Sequence, residues 1–216
     1  MLRRWAAACV VAQAVSIAAW LVAAAWQVDD YSVTKHTISD MYAVDAPHGA
    51  WLAAALTVCG VATIGFALFC VPRAFRRAGR RAWVSAALLA ACILGLGDAL
   101  SFLEREKCQL ATPGCTMDEQ LKAGGAADSV LSSVGLLLLV AAGFVLAGAM
   151  RRTPGWESFA GRARAFSVVL IVLLILTVAA ESVDLAGLLE RILAAYAAAG
   201  MGALAVQVRR EAPADA

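Results

Sequence analysis

The feature that most constrains this chain is a series of apolar segments, each long enough to form a helix that crosses a lipid bilayer. The hydrocarbon core of a bilayer requires ~20 predominantly apolar helical residues. The last apolar region, residues 165–208, would form one helix ~66 Å long, about twice that thickness. Its polar interruption at Glu181, Ser182 and Asp184 therefore predicts a turn between two spans. The predicted spans cover residues 5–28, 50–71, 82–103, 126–150, 165–180 and 188–208.

Composition favours a membrane protein over a soluble one. Hydrophobic residues make up 62% of the chain and charged residues 16%, whereas soluble domains are roughly half apolar and about a quarter charged. The sequence predicts an all-α polytopic bundle of six transmembrane helices, with residues 1–210 as one domain and residues 211–216 as a disordered tail. A signal peptide is the alternative interpretation of the first span, because of its basic start and small residues.

The charged residues separate to opposite sides of this six-helix arrangement. One side carries 13 of the 18 Lys and Arg, and the other side carries 13 of the 16 Asp and Glu. Basic residues are enriched on the cytoplasmic side of membranes. We therefore expect a protein of the plasma membrane with both termini in the cytoplasm. The basic residues on that side are Arg3, Arg4, Arg73, Arg76, Arg77, Arg80, Arg81, Arg151, Arg152, Arg162, Arg164, Arg209 and Arg210.

Two basic segments on that side have further interpretations. The turn at residues 72–81 either binds anionic lipid headgroups or only fixes the topology. In residues 156–166, aromatic side chains alternate with Arg162 and Arg164, a pattern typical of a connector at headgroup level. Nowhere does the sequence form a basic, aromatic-rich face suited to nucleic acid.

Polar residues gather at the opposite end of the predicted bundle. Asp98 lies more than one turn inside the third span, where an ionised carboxylate is costly and usually faces a partner or a watery cavity. The sequence predicts an outward-facing polar cavity roofed by the two long loops. In the alternative interpretation, the same acids cap helices and form ion pairs that order the loops. The candidate ligand-binding residues are His36, Ser39, Asp40, Asp98, Asp128, Glu181, Asp184, Glu190 and Arg191.

Both histidines lie in the first long loop, with the spacing His36-x3-Asp40-x4-Asp45-x2-His48. Imidazole and carboxylate are ligands of divalent ions, but Pro47 argues for a turn, and an ordinary loop is favoured over a metal site. We expect no metal and no cofactor. His36 is also a candidate general base beside a carboxylate, although no Ser-His-Asp, HExxH, Walker or GxGxxG pattern indicates a named reaction.

Two of the six cysteines are predicted to form a disulfide. Cys108 and Cys115 lie in one loop, CQLATPGC, with a Pro-Gly turn between them, and an oxidising exterior allows them to bond. The bridge is expected to hold a lid rather than to perform redox chemistry, since CxxC spacing is absent. The other four lie within spans and are expected to be packing residues: Cys9, Cys59, Cys70 and Cys92.

The string SVTKHTISDMYAVDAPHGAW and the apolar run after it resemble the bacterial membrane family catalogued as domain of unknown function 998. The loop with Cys108 and Cys115 and the string LLERI at residues 188–192 are also similar. The residues that match the family pattern are His36, Ser39, Asp40, Glu190 and Arg191. Members often carry a histidine near the start of the fourth helix, where this chain has Asp128. The resemblance implies no established activity; a looser similarity is to six-helix DRAM- and Frag-type proteins, some linked to lipid remodelling.

The favoured functional hypothesis is binding or handling of a lipid-like amphiphile at the outer leaflet, with His36, Asp40 and Asp98 as polar contacts. Polar groups at one end of an Ala-rich bundle can hold a headgroup while the tails lie against the helices. The first alternative is an intramembrane hydrolase or transferase that uses His36 with carboxylates. The second is a non-catalytic assembly or scaffold subunit with a membrane-protein partner. Membrane lipids are the expected partners, and nucleic acid is not.

Overall fold

Eight α-helices make up most of the regular structure in the computed structural model, which describes residues 1–211. No β-strand occurs in that part of the chain. The helices are α1 (Leu2–Ala23), α2 (Gly49–Ala74), α3 (Arg80–Ala91), α4 (Asp98–Leu100), α5 (Met117–Gln120), α6 (Gly125–Met150), α7 (Glu157–Ala179) and α8 (Ala186–Glu211). Short 3-10 turns lie at Ala24–Trp26, Ser39–Tyr42, Arg76–Ala78 and Ala180–Val183.

Five of these helices, α1, α2, α6, α7 and α8, are long and apolar enough to cross a membrane. The segment from Arg80 to Leu100, which contains α3 and α4, supplies a sixth crossing when its two halves are taken together. The prediction of an all-α polytopic bundle is confirmed. α1 begins and α8 ends at one end of the bundle, which we call the arginine end. The opposite end is called the loop end.

The third span is broken, which the sequence analysis did not predict. Cys92 has extended backbone angles, φ −71 and ψ 174, and the helices on either side of it are bent by 45°. A single π-helical stretch, Ile93–Gly97, then leads into α4. The break places Asp98 at the start of a new short helix at the loop end.

Two other predictions about the bundle need correction. Residues 156–166 do not form a separate connector, because α7 already begins at Glu157. Trp156 fixes that start: its buried ring meets Phe75 edge-on, with 4.7 Å between ring centroids. At the C-terminus, Glu211 belongs to α8 rather than to a tail, and the rest of the predicted tail lies outside the described residues.

Small residues allow the helices to approach closely, as is usual between membrane helices. α1 packs between α2 and α8, and in its middle the Gln13 side-chain amide donates to the Thr63 hydroxyl at 2.9 Å, fully inside the protein. The four cysteines outside the disulfide are all buried, as predicted. One close crossing is at Gly60, where an added Cβ would lie 2.2 Å from the backbone nitrogen of Ala99.

Substitution of Gly60 by alanine is therefore expected to destabilise the bundle by about 1–3 kcal/mol, because the methyl group meets backbone atoms that cannot move aside. Thermal unfolding in detergent micelles measures the effect. Gly161→Ala is the matched control, since nothing lies within 4 Å of its added Cβ and alanine is the better helix former. Equal melting temperatures for the two variants would contradict this packing.

Candidate functional site

The two long loops at the loop end pack together into one layer, which we call the cap. The Val44 amide donates to the Glu106 carbonyl at 2.8 Å, and the Leu110 amide donates to the Asp40 carboxylate at 2.6 Å. These bonds pair backbone groups of one loop with groups of the other, so the two loops form one folded unit. The cap consists of residues 27–48 and 101–124.

Local restraints hold the second loop of the cap. Cys108 and Cys115 form the predicted disulfide, which is confirmed. Directly after it, the Thr116 hydroxyl accepts a hydrogen bond from the Glu119 amide at 3.3 Å and so caps the start of α5. These restraints fix the chain on both sides of the turn that carries the Leu110 amide toward Asp40.

Arg191 anchors the first loop of the cap to α8. Its Nη1 donates to the carbonyl oxygens of Val33 at 2.9 Å, His36 at 2.7 Å and Gly187 at 2.8 Å. Its Nη2 donates to the Tyr31 hydroxyl. The guanidinium is buried, and its several fixed donors suit it to joining many carbonyls at once. Gly187 is needed here because an added Cβ would lie 2.3 Å from the His36 carbonyl oxygen.

The cations of the cap do not neutralise its buried acids. Arg105 donates to the carbonyl oxygens of Tyr42 and Ala43, both at 2.8 Å. In residues 1–211 the ion pairs are Lys35 with Asp184, Lys107 with Glu119, and Lys122 with Glu119, all near the surface. The interpretation that ion pairs order the loops therefore applies only to these surface groups.

A cluster of carboxyl groups lies buried where the cap meets the start of α6. Glu106 accepts from the Ser39 hydroxyl at 3.1 Å and from the side-chain amide of Gln120 at 2.7 Å. The same amide lies 3.5 Å from Asp40 Oδ1. Asp40 has no exposed surface, and Glu106 is 7% exposed, so this network is closed to solvent.

Asp128 and Glu104 extend the cluster toward the helices. Asp128, at the start of α6, accepts from the Tyr42 hydroxyl at 2.7 Å. Glu104 is buried, and in the described chain its Oε1 has no hydrogen-bond partner, as is also true of Asp40 Oδ2. An unpaired oxygen makes burial of an ionised carboxylate especially costly.

Burial is the main cause of the altered acidity of these groups. It raises the pKa of Glu106 to about 8, with Asp128 and Asp40 adding to the effect. It likewise raises the pKa of Glu104 to about 7, again with a contribution from Asp128. The pKa of Asp40 rises less, to about 6, because the Leu110 amide stabilises its ionised form. The cluster is therefore partly protonated near neutral pH.

His36 is held as a neutral ring. Its Nδ1 accepts a hydrogen bond from the Ser32 amide at 2.9 Å, which places the ring proton on Nε2. Burial, with the charges of Lys35 and Arg191, lowers the pKa of His36. A general base needs a free acceptor nitrogen, and here that nitrogen is already engaged. The geometry gives no support to a hydrolase that uses His36 as a base.

The predicted metal-ligand spacing is not gathered at one point. Asp45 accepts from the backbone amide of Gln109 at 2.7 Å, whereas His48 directly precedes α2 and lies edge-on against Trp26. Across residues 1–211, no group of three or more His, Cys, Asp or Glu side chains is placed to hold a metal ion.

The structure brings only some of the predicted site residues together. Ser39, Asp40 and Asp128 join the buried cluster, while Glu181 and Asp184 are exposed. Glu190 lies nearby, with both carboxylate oxygens 3.3 Å from the Ile38 amide. In the described part of the chain, the half-buried Asp98 side chain accepts no hydrogen bond.

Several residues of the cluster were missed by the sequence analysis. They are Tyr42, Glu104, Glu106 and Gln120. Alternation of acid and base in the string EREK was the available signal, and it is more typical of a solvated loop than of a buried one.

An open cavity lies at the arginine end, between α6, α7 and α8. Its volume is about 540 Å³. Its walls are almost entirely apolar, with Leu139, Leu146 and Phe166 among them, and Arg162 and Arg210 also line it. The sequence predicts a polar cavity at the opposite, loop end. There the structure shows polar side chains packed against one another in the cap.

Of the comparisons with known proteins, only the one with family models gives a match. Neither the curated proteins nor the solved structures include a match to this chain. A family model described as "Protein of unknown function (DUF998)" matches residues 7–207, nearly the whole of the bundle. The chain therefore belongs to the DUF998 family, as the resemblance in its first loop had indicated.

Proposed function

We propose that this membrane protein binds an anionic amphiphile in the cavity at the arginine end. The observation that carries the proposal is the combination of an apolar cavity with two arginines, Arg162 and Arg210, in its lining. Its volume of about 540 Å³ falls within the roughly 300–1,000 Å³ of ordinary ligand pockets.

The dimensions of the cavity suit one chain of an amphiphile. Along α6 the lining extends from Met150 to Leu139, a depth of ~16 Å at 1.5 Å per residue. That depth is about half the thickness of the hydrocarbon core, so it matches a single leaflet. An acyl chain lies against the apolar walls, and an anionic headgroup lies beside the two guanidinium groups.

The charges at the mouth favour an anion. Arg162 is held over the ring of Phe159, with 5.0 Å between its guanidinium carbon and the ring centroid. Gln207 also lines the cavity and donates to Glu211 at 3.0 Å, which leaves the mouth with two positive groups and one negative neighbour.

The topology proposed with this function places both termini in the cytoplasm, following the positive-inside rule. The cavity then opens in the cytoplasmic leaflet of a plasma membrane, rather than in the outer leaflet. In this proposal the cap, with His36, Ser39 and Asp40, closes the opposite end of the bundle, and neither the cap nor Asp98 contacts the amphiphile.

Native mass spectrometry of the protein extracted into lipid nanoparticles tests the proposal. Ala203 is exposed and lines the cavity, so Ala203→Trp is expected to fill it and to displace the retained amphiphile. Replacement of both Arg162 and Arg210 by Gln is expected to weaken binding of phosphatidylglycerol by about tenfold.

Ala14→Trp on the exposed face of α1 is the matched control for added bulk, and Arg3→Gln with Arg4→Gln is the control for lost charge. Both controls are expected to retain the amphiphile. Identical spectra of bulk lipid from wild type, Ala203→Trp and the double Gln variant would overturn the proposal and favour the scaffold alternative.

A further inference from the structure

A second pocket at the arginine end is built around Gly148 of α6. Its volume is about 390 Å³. Three helical segments bring arginines to it: Arg81 from α3, Arg151 directly after α6, and Arg164 from α7. The remaining lining residues are Phe144 and Val145.

The arginines of this pocket have no acid among its lining residues. Within the described chain, none of the three forms an ion pair with Asp or Glu. Guanidinium groups brought together in this way repel one another unless an anion lies between them. Planar guanidinium groups bind phosphate oxygens through paired hydrogen bonds, so a phosphate group is the anion that fits best.

Gly148 makes room for this arrangement. A Cβ atom added there would lie 3.3 Å from Nη1 of Arg81, so the guanidinium of α3 rests against the backbone of α6. A larger side chain at this position would occupy the pocket and displace a flexible side chain rather than backbone. The pocket can therefore be filled without removal of any charge.

The apolar part of the pocket distinguishes a lipid from free phosphate. Phe144 is 40% exposed and lies one turn deeper along α6 than Gly148, in the direction of the membrane interior. We infer that this pocket binds the phosphate of an anionic phospholipid, with the phosphate among the three arginines and its chain along Phe144.

This site is separate from the cavity of the proposed function. Arg164 follows Arg162 by two residues, which places the two side chains on nearly opposite sides of α7. Arg162 lines the cavity beside α8, and Arg164 lines the pocket beside α3. The inference therefore stands or fails independently of the amphiphile cavity.

Binding of phosphatidylglycerol and phosphatidylcholine to the purified full chain tests the inference, with native mass spectrometry as the readout. All variants carry Ala203→Trp, so that occupancy of the cavity does not contribute. Gly148→Leu is expected to abolish the preference for phosphatidylglycerol. Arg81→Gln, Arg151→Gln and Arg164→Gln are expected to weaken it by about fivefold each.

Arg76→Gln, Arg77→Gln and Arg152→Gln are the matched controls, because these exposed arginines lie at the same end but outside the pocket. They are expected to keep the preference. Equal losses in the pocket and control variants would show diffuse attraction and overturn the inference. Arginine-dependent binding of inorganic phosphate without a preference for phosphatidylglycerol would also overturn it.

Discussion

Glu106→Gln is expected to remove on the order of 4 kcal/mol of the stability loss that the protein suffers when the pH rises from about 5 to about 9. Glutamine has the shape of a protonated glutamic acid and can keep both neighbours of Glu106. Its carbonyl oxygen accepts from the Gln120 amide, and its NH₂ group donates to the Ser39 hydroxyl. The variant therefore resembles the protonated cap at every pH.

The direction of the effect follows from the pKa of Glu106, which burial raises from 4.5 to about 8. Between these values the unfolded chain has released the proton and the folded chain still holds it. Stability is fully present below the unfolded pKa and is lost as the pH rises through the folded pKa. Between about pH 5 and about pH 9 the raised pKa of Glu106 corresponds to an effect on the order of 4 kcal/mol, and Glu104 and Asp40 add to the pH dependence in the same direction.

Thermal unfolding at several pH values, followed by tryptophan fluorescence in detergent, measures this effect. Glu119→Gln is the control, because Lys107 and Lys122 lower the pKa of Glu119 to about 2, and it stays ionised throughout the range. That variant is expected to retain the pH dependence of the wild type. If the stability of Glu106→Gln depended on pH as strongly as that of wild type, the buried cluster would not control the pH dependence of stability.

Arg191→Met is expected to destabilise the cap by roughly 3–6 kcal/mol. The guanidinium serves the carbonyl oxygens of Val33, His36 and Gly187, and methionine fills similar space without a donor. Each buried carbonyl left without a partner costs about 1–3 kcal/mol. Arg191→Lys is expected to recover part of the loss, because one ammonium group cannot reproduce the spread of a guanidinium.

Limited trypsin digestion measures this loss directly, since Lys35 lies in the loop that Arg191 holds. Cleavage after Lys35 is expected to be fast in Arg191→Met and slow in wild type. Arg209→Met, on the exposed surface at the other end of α8, is the control. Equal cleavage rates in the two variants would mean that Arg191 does not anchor the loop.

The positions of the helices follow from local sequence, whereas the break in the third span does not. Long apolar runs and polar interruptions determine where spans begin and end, because lipid requires every backbone group to bond within its own helix. The residues before and after Cys92 are all apolar, so hydropathy contains no sign of a bend. Beyond the break the chain crosses α2 closely at Gly60, a tertiary contact that hydropathy does not encode.

The buried cluster was only partly predictable for a similar reason. Asp40 could be identified as a polar residue at the loop end, but its partner is the Leu110 amide, a group that every residue type carries. Glu104 and Glu106 were overlooked beside Arg105 and Lys107. In extended chain, alternate side chains point to opposite sides, so both glutamates face inward while Lys107 faces solvent.

Arg105 of the cap and Arg191, which holds the cap to α8, both bind neutral carbonyl oxygens rather than carboxylates. Dissolved salt screens attraction between separated charges over ~10 Å at 0.1 M, yet it has little access to a hydrogen bond buried in protein. If the arginine end binds anionic headgroups as proposed, concentrated electrolyte is expected to weaken that binding and to leave the cap folded. The two ends of one small bundle are then expected to differ in their response to salt.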